Sequence, residues 1–530
     1  MGDGALGETE ASISASAEPR YNAAVALMQR ALPGRAGKIA VIDDAGAYSY
    51  ADLARRVDQC GAALLALEGR PGDRVILCMQ DSLDFIGCFL GAIKVGLIPV
   101  PLNTLLQPDD YAFVLGDSGA RLAVVSRPLF DRFAEGMAQG EWPGRVVVHG
   151  AGEDGGCELD EQVAQAPAAA AAVMTSPDAP AFWLYSSGST GRPKGVIHRH
   201  ASLAHTAERF GGQVLGMRED DAVYSASKLF FAYGLGNALT FPLSLGATTV
   251  LTAGRATPDV IWRLLDEHRV SLFFGVPTLY AAMLSPDALP ARTPQALRLC
   301  ISAGEALPAE VGRRWTESTG TEIVDGVGST EMLHVFLTNR PGKVRYGTCG
   351  RATPGYELKL LTDGGRPAGA GEIGELYVRG PSAAAGYWNQ PEKDAQTFTG
   401  GWVRTGDRFI RDEAGAYVFC GRADDMLKIG GIWVSPAEVE AVLIEHEAVL
   451  EAAVVGVADQ DELIRVKAFV ALNGGVVAGE ALADALRAFA KERLAPFKCP
   501  RSIVFVDELP KTATGKIRRH VLRDADALSR

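Results

Sequence analysis

Ala181 to Gly195 read AFWLYSSGSTGRPKG, an apolar strand-like run that passes directly into small hydroxyls and glycines closed by Arg192 and Lys194. Such a segment cannot pack in a core. Gly188, Gly191 and Gly195 let the backbone come close to a ligand, while Ser186, Ser187, Ser189 and Thr190 add hydroxyl donors. A concavity of this kind suits phosphate oxygens, and Lys194 brings positive charge. Neither the Walker spacing G-x-x-x-x-G-K-[ST] nor the dinucleotide fingerprint G-x-G-x-x-G is present here, so a NAD site loses its usual support. By itself the loop also reads as an ordinary surface turn.

Four distant segments carry groups that would complete a nucleotide site. DGVGSTE (325–331) is a glycine turn ending in Thr330 and Glu331, and GGWVRTGD (400–407) ends in an isolated Asp407. GRADDMLKIGG (421–431) carries Arg422 and two adjacent aspartates, and LPKTATGKIRR (509–519) sets Lys516 in a polar stretch. Singly, these are acidic turns, solvated charges or a basic tail. All five by accident in one chain is a poor explanation.

The elements that must position them alternate in a strand–helix–strand rhythm, which implies parallel sheet with crossover helices. YSYADLARRVDQCGAALLAL (48–67) has helical spacing after a cap, DRVILCM is a buried strand, and DFIGCFLGAIKVGLIPVPLN is a helix leading to a strand that stops at prolines. ARLAVVS, TTVLT, SLFFGVP and RLCISAG repeat the rhythm. From Gly347 the texture shortens to turn-punctuated strands (YELKLLTDGG, GEIGELYVRG), a small β-rich unit. After GRADD the chain holds helices at PAEVEAVLIEH and EALADALRAFAKERL and strands at EAAVVGV, VKAFVAL and IVFVDELP, enough for a separate α+β domain. The alanine run 168–172 after Pro167 reads as a linker.

Composition sets outer bounds. A chain of 530 residues, 47% hydrophobic and 22% charged, is ordinary globular protein with room for three or four units. A net charge of −12 argues against a nucleic-acid or anionic-membrane surface, so an anionic ligand needs a local pocket of donors. Cys60, Cys78, Cys88, Cys157, Cys300, Cys349, Cys420 and Cys499 form no C-x-x-C pair and read as reduced, mostly buried thiols. The first twenty residues are acidic and rich in small residues, a tail rather than a signal or transit peptide. Leu6 stands where a myristoylation signal needs Ser or Thr, and no apolar run approaches the ~18 residues of a membrane span. A soluble, cytoplasmic protein is expected.

In order and spacing the five segments resemble the adenylate-forming superfamily of acyl- and aryl-CoA synthetases, luciferases and peptide-synthetase adenylation domains, over about residues 21 to 524. Within it, KLFFAYGLGNALTFPLSLGATTVL (228–251), SAGEALP (302–308) and DGVGSTEMLHVFLTN (325–339) look like the benzoate-CoA ligase branch. The resemblance implies an α/β fold: a tail over 1–20, a large N-terminal domain over 21–423 made of αβαβα-type subdomains with a small β-barrel-like one, and a small mobile α+β lid over 424–530.

It also implies roles. Ser186 to Lys194 would hold the β- and γ-phosphates of ATP, Glu331 would hold Mg²⁺, and Thr330 would donate to the α-phosphate. Asp407 would accept from the ribose hydroxyls, Arg422 would reach ribose or phosphate, and Lys516 would bridge the substrate carboxylate and the α-phosphate. Gly304, Glu305 and Val327 would line the adenine, with Val327 standing where the superfamily often has an aromatic residue, and Asp325 and Gly326 would also bind ATP. Phe231, Ala232, Tyr233, Gly234, Phe274, Ala303, Gly326, Gly328, Leu333 and His334 would form a flat slot for an aromatic acid, although Phe231 and Phe274 are equally readable as plain core. Asp424 matches a hinge, and Gly430 and Gly431 a tunnel loop for the pantetheine of coenzyme A.

The partners implied are a small aromatic carboxylate, ATP and CoA, with no nucleic acid and no membrane; a homodimer partner and a lysine acetyltransferase acting on Lys516 are further candidates. Competing readings are a medium-chain fatty-acyl or cinnamate-type CoA ligase, a stand-alone adenylation enzyme loading a carrier protein, and a non-catalytic nucleotide-binding regulator. The regulator would not need Glu331, Asp407 and Lys516.

Overall fold

Short β-branched runs and helices with apolar stripes assemble here into several sheets. The computed structural model describes residues 20–150, 158–167, 169–186, 192–285, 287–429, 432–458, 464–511 and 517–528. The first sheet is parallel throughout, in the order Ile98–Pro101, Arg74–Cys78, Leu122–Ser126, Arg145–His149. Its strands read as continuous apolar runs because both faces are covered. Helix Tyr50–Ala66 starts at a capping box in which Ser49 Oγ accepts from Asp52 N–H at 3.1 Å and Ser49 N–H donates to the Asp52 carboxylate at 3.0 Å, worth about 1 kcal/mol. It crosses helix Leu83–Lys94 at Gly61 and Gly91. A Cβ on Gly91 would lie 2.6 Å from the Gly61 nitrogen, so the close crossing requires glycine there.

The main sheet has nine strands, in the order Arg351–Ala352, Val335–Thr338, Ile323–Gly328, Leu299–Ala303, Leu272–Gly275, Ala222–Ser225, Thr248–Val250, Ile39–Asp43, Gly46–Ser49. Its centre is parallel, and antiparallel strands close both ends. The expected strands of ARLAVVS, TTVLT, SLFFGVP and RLCISAG are all present. Beside this sheet, helical segments slip into π-helix at Ala207–Val214 and Gly236–Thr240, a local widening that commonly marks functional positions.

A third sheet joins Pro180–Ser186, Lys194–Arg199 and Gly386–Tyr387, all antiparallel. The small β-rich unit is antiparallel, in the order Glu357–Leu361, Ile373–Arg379, Trp402–Arg411, Phe398–Thr399, with Tyr417–Arg422 on the far half of Trp402–Arg411. The last part of the chain has its own core of Val434, Val439, Leu443, Val454, Val470 and Leu486. There, strands Val449–Ala458, Ile464–Leu472 and Ser502–Val506 carry helices Pro436–Ile444 and Glu480–Arg493. Seven of the cysteines are free and buried; Cys157 lies outside the described residues. Among the described residues no helix is long and apolar enough to cross a membrane.

Candidate active site

The opening hairpin brings Ser186 and Lys194 face to face as register partners. Ser187, Gly188, Ser189, Thr190 and Gly191 lie outside the described residues. Its two cations diverge. Arg192 sits exposed over the Phe113 ring at 5.1 Å, while Lys194 turns inward over the Tyr387 ring at 4.7 Å. Burial pulls the Lys194 ammonium below its ordinary value; the charge of Glu331 opposes this, and Lys393 and Arg422 add to it.

Glu331 arrives from the main sheet. Strand Ile323–Gly328 ends in a single 3₁₀ turn, Thr330–Met332, whose Met332 N–H donates to Ser329 Oγ at 3.3 Å. The return strand Val335–Thr338 pairs so tightly that a Cβ on Gly326 would lie 2.8 Å from Val335 Cγ1. Between them Leu333 is held at φ +65°, a region side chains rarely adopt. Backbone strain of this kind persists where the surroundings over-determine it. The Glu331 carbonyl accepts from Ala384 N–H at 2.8 Å, and its Oε1 accepts from the Tyr387 hydroxyl at 2.8 Å.

Asp407 and Arg422 are cross-strand partners in the small β-rich unit, joined at 3.0 Å. Arg422 Nη1 also reaches the Thr405 carbonyl at 3.4 Å. Burial would weaken the guanidinium's charge, but Asp407 and then Glu331 outweigh it and raise its value. Lys194, Arg422 and Glu331 therefore meet in one electrostatic corner, although each comes from a different sheet.

Asp325 is buried in the middle of strand Ile323–Gly328, which leads to Glu331, with Oδ1 lacking a hydrogen-bond partner among the described residues. Burial lifts its carboxyl well above the usual range. Gly304 is exposed and Val327 half-buried. Glu305 Oε1 accepts from the Ile517 N–H at 3.2 Å, so the C-terminal part of the chain reaches the site one residue beyond Lys516, which itself lies outside the described residues.

The residues expected to form the aryl slot gather along one wall. Phe231 caps the short helix Ala232–Leu235, and Phe231, Ala232 and Tyr233 are half-buried while Gly234 is buried. Phe274, Ala303, Leu333 and His334 are buried, and the Phe274 ring meets Tyr233 edge-on at 6.2 Å. His334 lies among Phe210, Phe241 and Tyr233, with ring centroids 4.5 to 5.5 Å away. Burial takes its imidazole down to about 3, so it is neutral. Its Nε2 sits 3.1 Å from Asn237 Oδ1 and 3.3 Å from the Tyr233 carbonyl, which assigns the proton to Nε2. The opposite nitrogen, Nδ1, is buried without a partner among the described residues.

Three site residues escape sequence reasoning: Tyr387, Lys393 and Asn237. Tyr387 and Lys393 lie in GYWNQPEKD, where no spacing pointed to the phosphate loop, and Asn237 sits in a π-helical turn inside an apolar run. Asp424 is exposed between strands Tyr417–Arg422 and Leu427–Ile429; Gly430 and Gly431 lie outside the described residues. A crevice of about 300 Å³ lined by Asp43, Asp81, Ser126 and His149 opens elsewhere, and none of the expected site residues among those described lines it.

Comparisons with known proteins bear on this arrangement. The family described as AMP-binding enzyme matches residues 28–388, and the AMP-binding enzyme C-terminal domain matches residues 438–516. The chain is 54% identical to a benzoate–CoA ligase of Thauera aromatica, covering 96% of each chain. It is 46% identical to a 4-hydroxybenzoate–CoA/benzoate–CoA ligase of Rhodopseudomonas palustris, covering 95% of this chain and 94% of that one. A crystal structure of a benzoate CoA ligase from Burkholderia xenovorans superposes with a TM-score of 0.89 at 50% identity, covering 95% of this chain and all of the other.

Proposed function

The chain belongs to the AMP-binding enzyme family, and from that premise we propose that it is an ATP-dependent aryl-CoA ligase acting on benzoate or a close analogue. A benzoate oxygen attacks the α-phosphorus of ATP, the bond to pyrophosphate breaks, and benzoyl-AMP forms. The thiolate of CoA then attacks the acyl carbon, and AMP leaves with the bonding electrons. The observation that carries the reading is the meeting of Lys194, Glu331 and the Asp407–Arg422 pair in one corner, beside an aromatic wall that holds a neutral histidine.

The first step joins two anions, so cations must offset their repulsion. Lys194 and the opening loop would face the β- and γ-phosphates, and Lys516 the forming phosphate ester. Asp407 would receive the ribose hydroxyls with Arg422 beside it. Asp325 has a buried oxygen without a donor among the described residues, which the exocyclic amine of adenine would supply. Tyr233, Phe274 and Ala303 would bound the ring, and small residues at 326 and 328 would keep the slot flat.

Among the described residues no group of three or more His, Cys, Asp or Glu could hold a metal. Glu331 offers one carboxylate, a donor set that fits Mg²⁺, which takes its remaining oxygens from phosphates and water. When bound, Mg²⁺ supplies charge neutralisation on the triphosphate.

For the second step Asp424 would serve as hinge, so that the C-terminal unit turns and Gly430 and Gly431 open a path for pantetheine. Asp424→Pro, which fixes φ, is expected to leave adenylation largely intact and to cripple conversion of benzoyl-AMP to thioester. Lys516→Ala is expected to do the reverse, lowering adenylation by ~10²–10³. Equal loss in both half-reactions for either variant would rule out the rotation. Acetylation of Lys516 would silence adenylation by removing its charge; full activity of stoichiometrically acetylated enzyme, read by mass spectrometry, would exclude this. A cytoplasmic setting is part of the same reading, since ATP and CoA are its co-substrates.

Pyrophosphate exchange tests the whole proposal. Benzoate should support exchange without CoA, and benzoyl-CoA should appear once CoA is added. Octanoate matching benzoate in kcat/KM would overturn the aryl assignment, and no acid-dependent exchange would overturn adenylation itself.

A further inference from the structure

Tyr387 touches two of the charged groups of the corner, Lys194 and Glu331, and no sequence signal pointed to it. Its hydroxyl donates to Glu331 Oε1 at 2.8 Å, and its ring lies 4.7 Å beneath the Lys194 ammonium. The ring is fixed from several sides. Tyr387 pairs with Val196 on the strand that begins at Lys194, its N–H donates to Asp394 Oδ1 at 2.7 Å, and Phe398 packs edge-on at 5.3 Å. Three residues earlier, Ala384 N–H donates to the Glu331 carbonyl. One short segment thus holds Glu331 by its backbone and by one carboxylate oxygen.

A carboxylate can meet a small hard cation through one oxygen or two, and Mg²⁺ demands near-octahedral geometry with single-oxygen ligands and waters. A phenol bound to Oε1 engages that oxygen and so favours the other as the single ligand to a cation. We infer that Tyr387 is a positioning residue that presents Glu331 to the nucleotide-bound divalent cation through Oε2 alone, while its ring keeps Lys194 aligned with the same phosphates. The inference rests on the reading of Glu331 as the metal carboxylate. Tyr387 acts through Glu331 and Lys194 and touches no reacting atom.

The test uses Mn²⁺ as probe, with ATP bound to the full-length protein and the free and bound metal distinguished by paramagnetic resonance. Tyr387→Phe keeps the ring and removes one oxygen. It should weaken Mn²⁺ in the ternary complex about tenfold, the order expected for a hydrogen bond to a charged group. Binding of metal-free ATP and the KM for benzoate should stay within twofold, a split that general loosening of the fold would not produce. In a Glu331→Gln background the same substitution should have no further effect, and this cycle isolates the coupling even if Tyr387→Phe lowers Tm. Unchanged Mn²⁺ affinity in Tyr387→Phe, with a clear loss in Glu331→Gln, would overturn this inference alone. Unchanged affinity in Glu331→Gln would overturn it together with the metal role of Glu331.

Discussion

The phosphate corner and the aryl wall lie close together but are built on opposite principles. In the corner, Arg422 keeps 44% of its side chain exposed, Lys194 is half-buried, and the groups are located by charge and single hydrogen bonds. Along the wall, Phe274 is fully buried, Ala303 and His334 are each 3% exposed, and the groups are located by packing. A substitution in the corner leaves the shape of the site and changes its field; one in the wall leaves the field and changes its volume. The two kinds of damage should therefore fall on different substrates.

The largest effect is expected from Lys194→Met, which removes the cation proposed to face the triphosphate. Adenylation should fall by ~10², while the KM for benzoate stays within twofold in pyrophosphate exchange. If the benzoate KM rises as far as that for ATP, the corner and the wall are not separable. Ala303→Phe is the mirror experiment. Overpacking costs about 1–3 kcal/mol, so the benzoate KM should rise by one to two powers of ten with ATP binding unchanged. A parallel loss of ATP affinity would show that the wall also shapes the nucleotide site.

Asn237→Leu should have a smaller, diagnostic effect. It leaves the Nε2–H of His334 with one acceptor fewer, the Tyr233 carbonyl at 3.3 Å remaining. The loss should be about 1–3 kcal/mol of stability and a severalfold rise in the benzoate KM. Asn237→Asp, which restores the acceptor, should recover most of the stability. Loss of ATP affinity in place of benzoate affinity would contradict the placement of Asn237 behind the wall.

Acid should produce the gentlest change. His198 and His334 are held near 3 and His200 near 4, all below the ordinary 6.5, because burial disfavours the imidazolium. The unfolded chain takes up these protons below 6.5 and the native chain does not. Stability is therefore complete above 6.5 and declines as pH falls through it, by up to about 1.4 kcal/mol per unit for each residue. Asp81, raised from 3.8 to about 6 by burial, has the opposite sign and offsets part of the decline between those values; Asp325, lifted well above its ordinary value by burial, and His149, raised against burial by Asp84, act in the same direction. Tm should fall from pH 7.5 to pH 5, and a rise would mean that the three buried histidines do not dominate the acid response.

The same contrast governs how much could be read in advance. Strands such as Arg74–Cys78 and Leu272–Gly275 announce themselves as short apolar runs, and the cap at Ser49 as a hydroxyl before a helical stripe. Glu331, Asp407 and Arg422 were singled out by the order and spacing of their segments and by the resemblance those carry, and they come together in the structure. Tyr387 was not, because it reaches Glu331 only after Gly386–Tyr387 pairs with a strand from the far side of the sequence. Asn237 was hidden by its apolar neighbours and by a π-helical turn that no spacing rule anticipates. Of Arg192 and Lys194, two residues apart, the sequence singles out Lys194; the Phe113 ring under one and the Tyr387 ring under the other show how the two side chains diverge.

The contact between the Ile517 amide and Glu305 bears on the order in which ligands arrive. The backbone supplies the donor, so no side-chain change at 517 short of proline can remove it, and only Glu305 is open to adjustment. On the proposed two-step cycle, a C-terminal unit held against Glu305 would favour the adenylating half, with ATP and the acid taken before the thiol. Substituting Glu305 would then loosen that contact and shift the balance between the two proposed half-reactions.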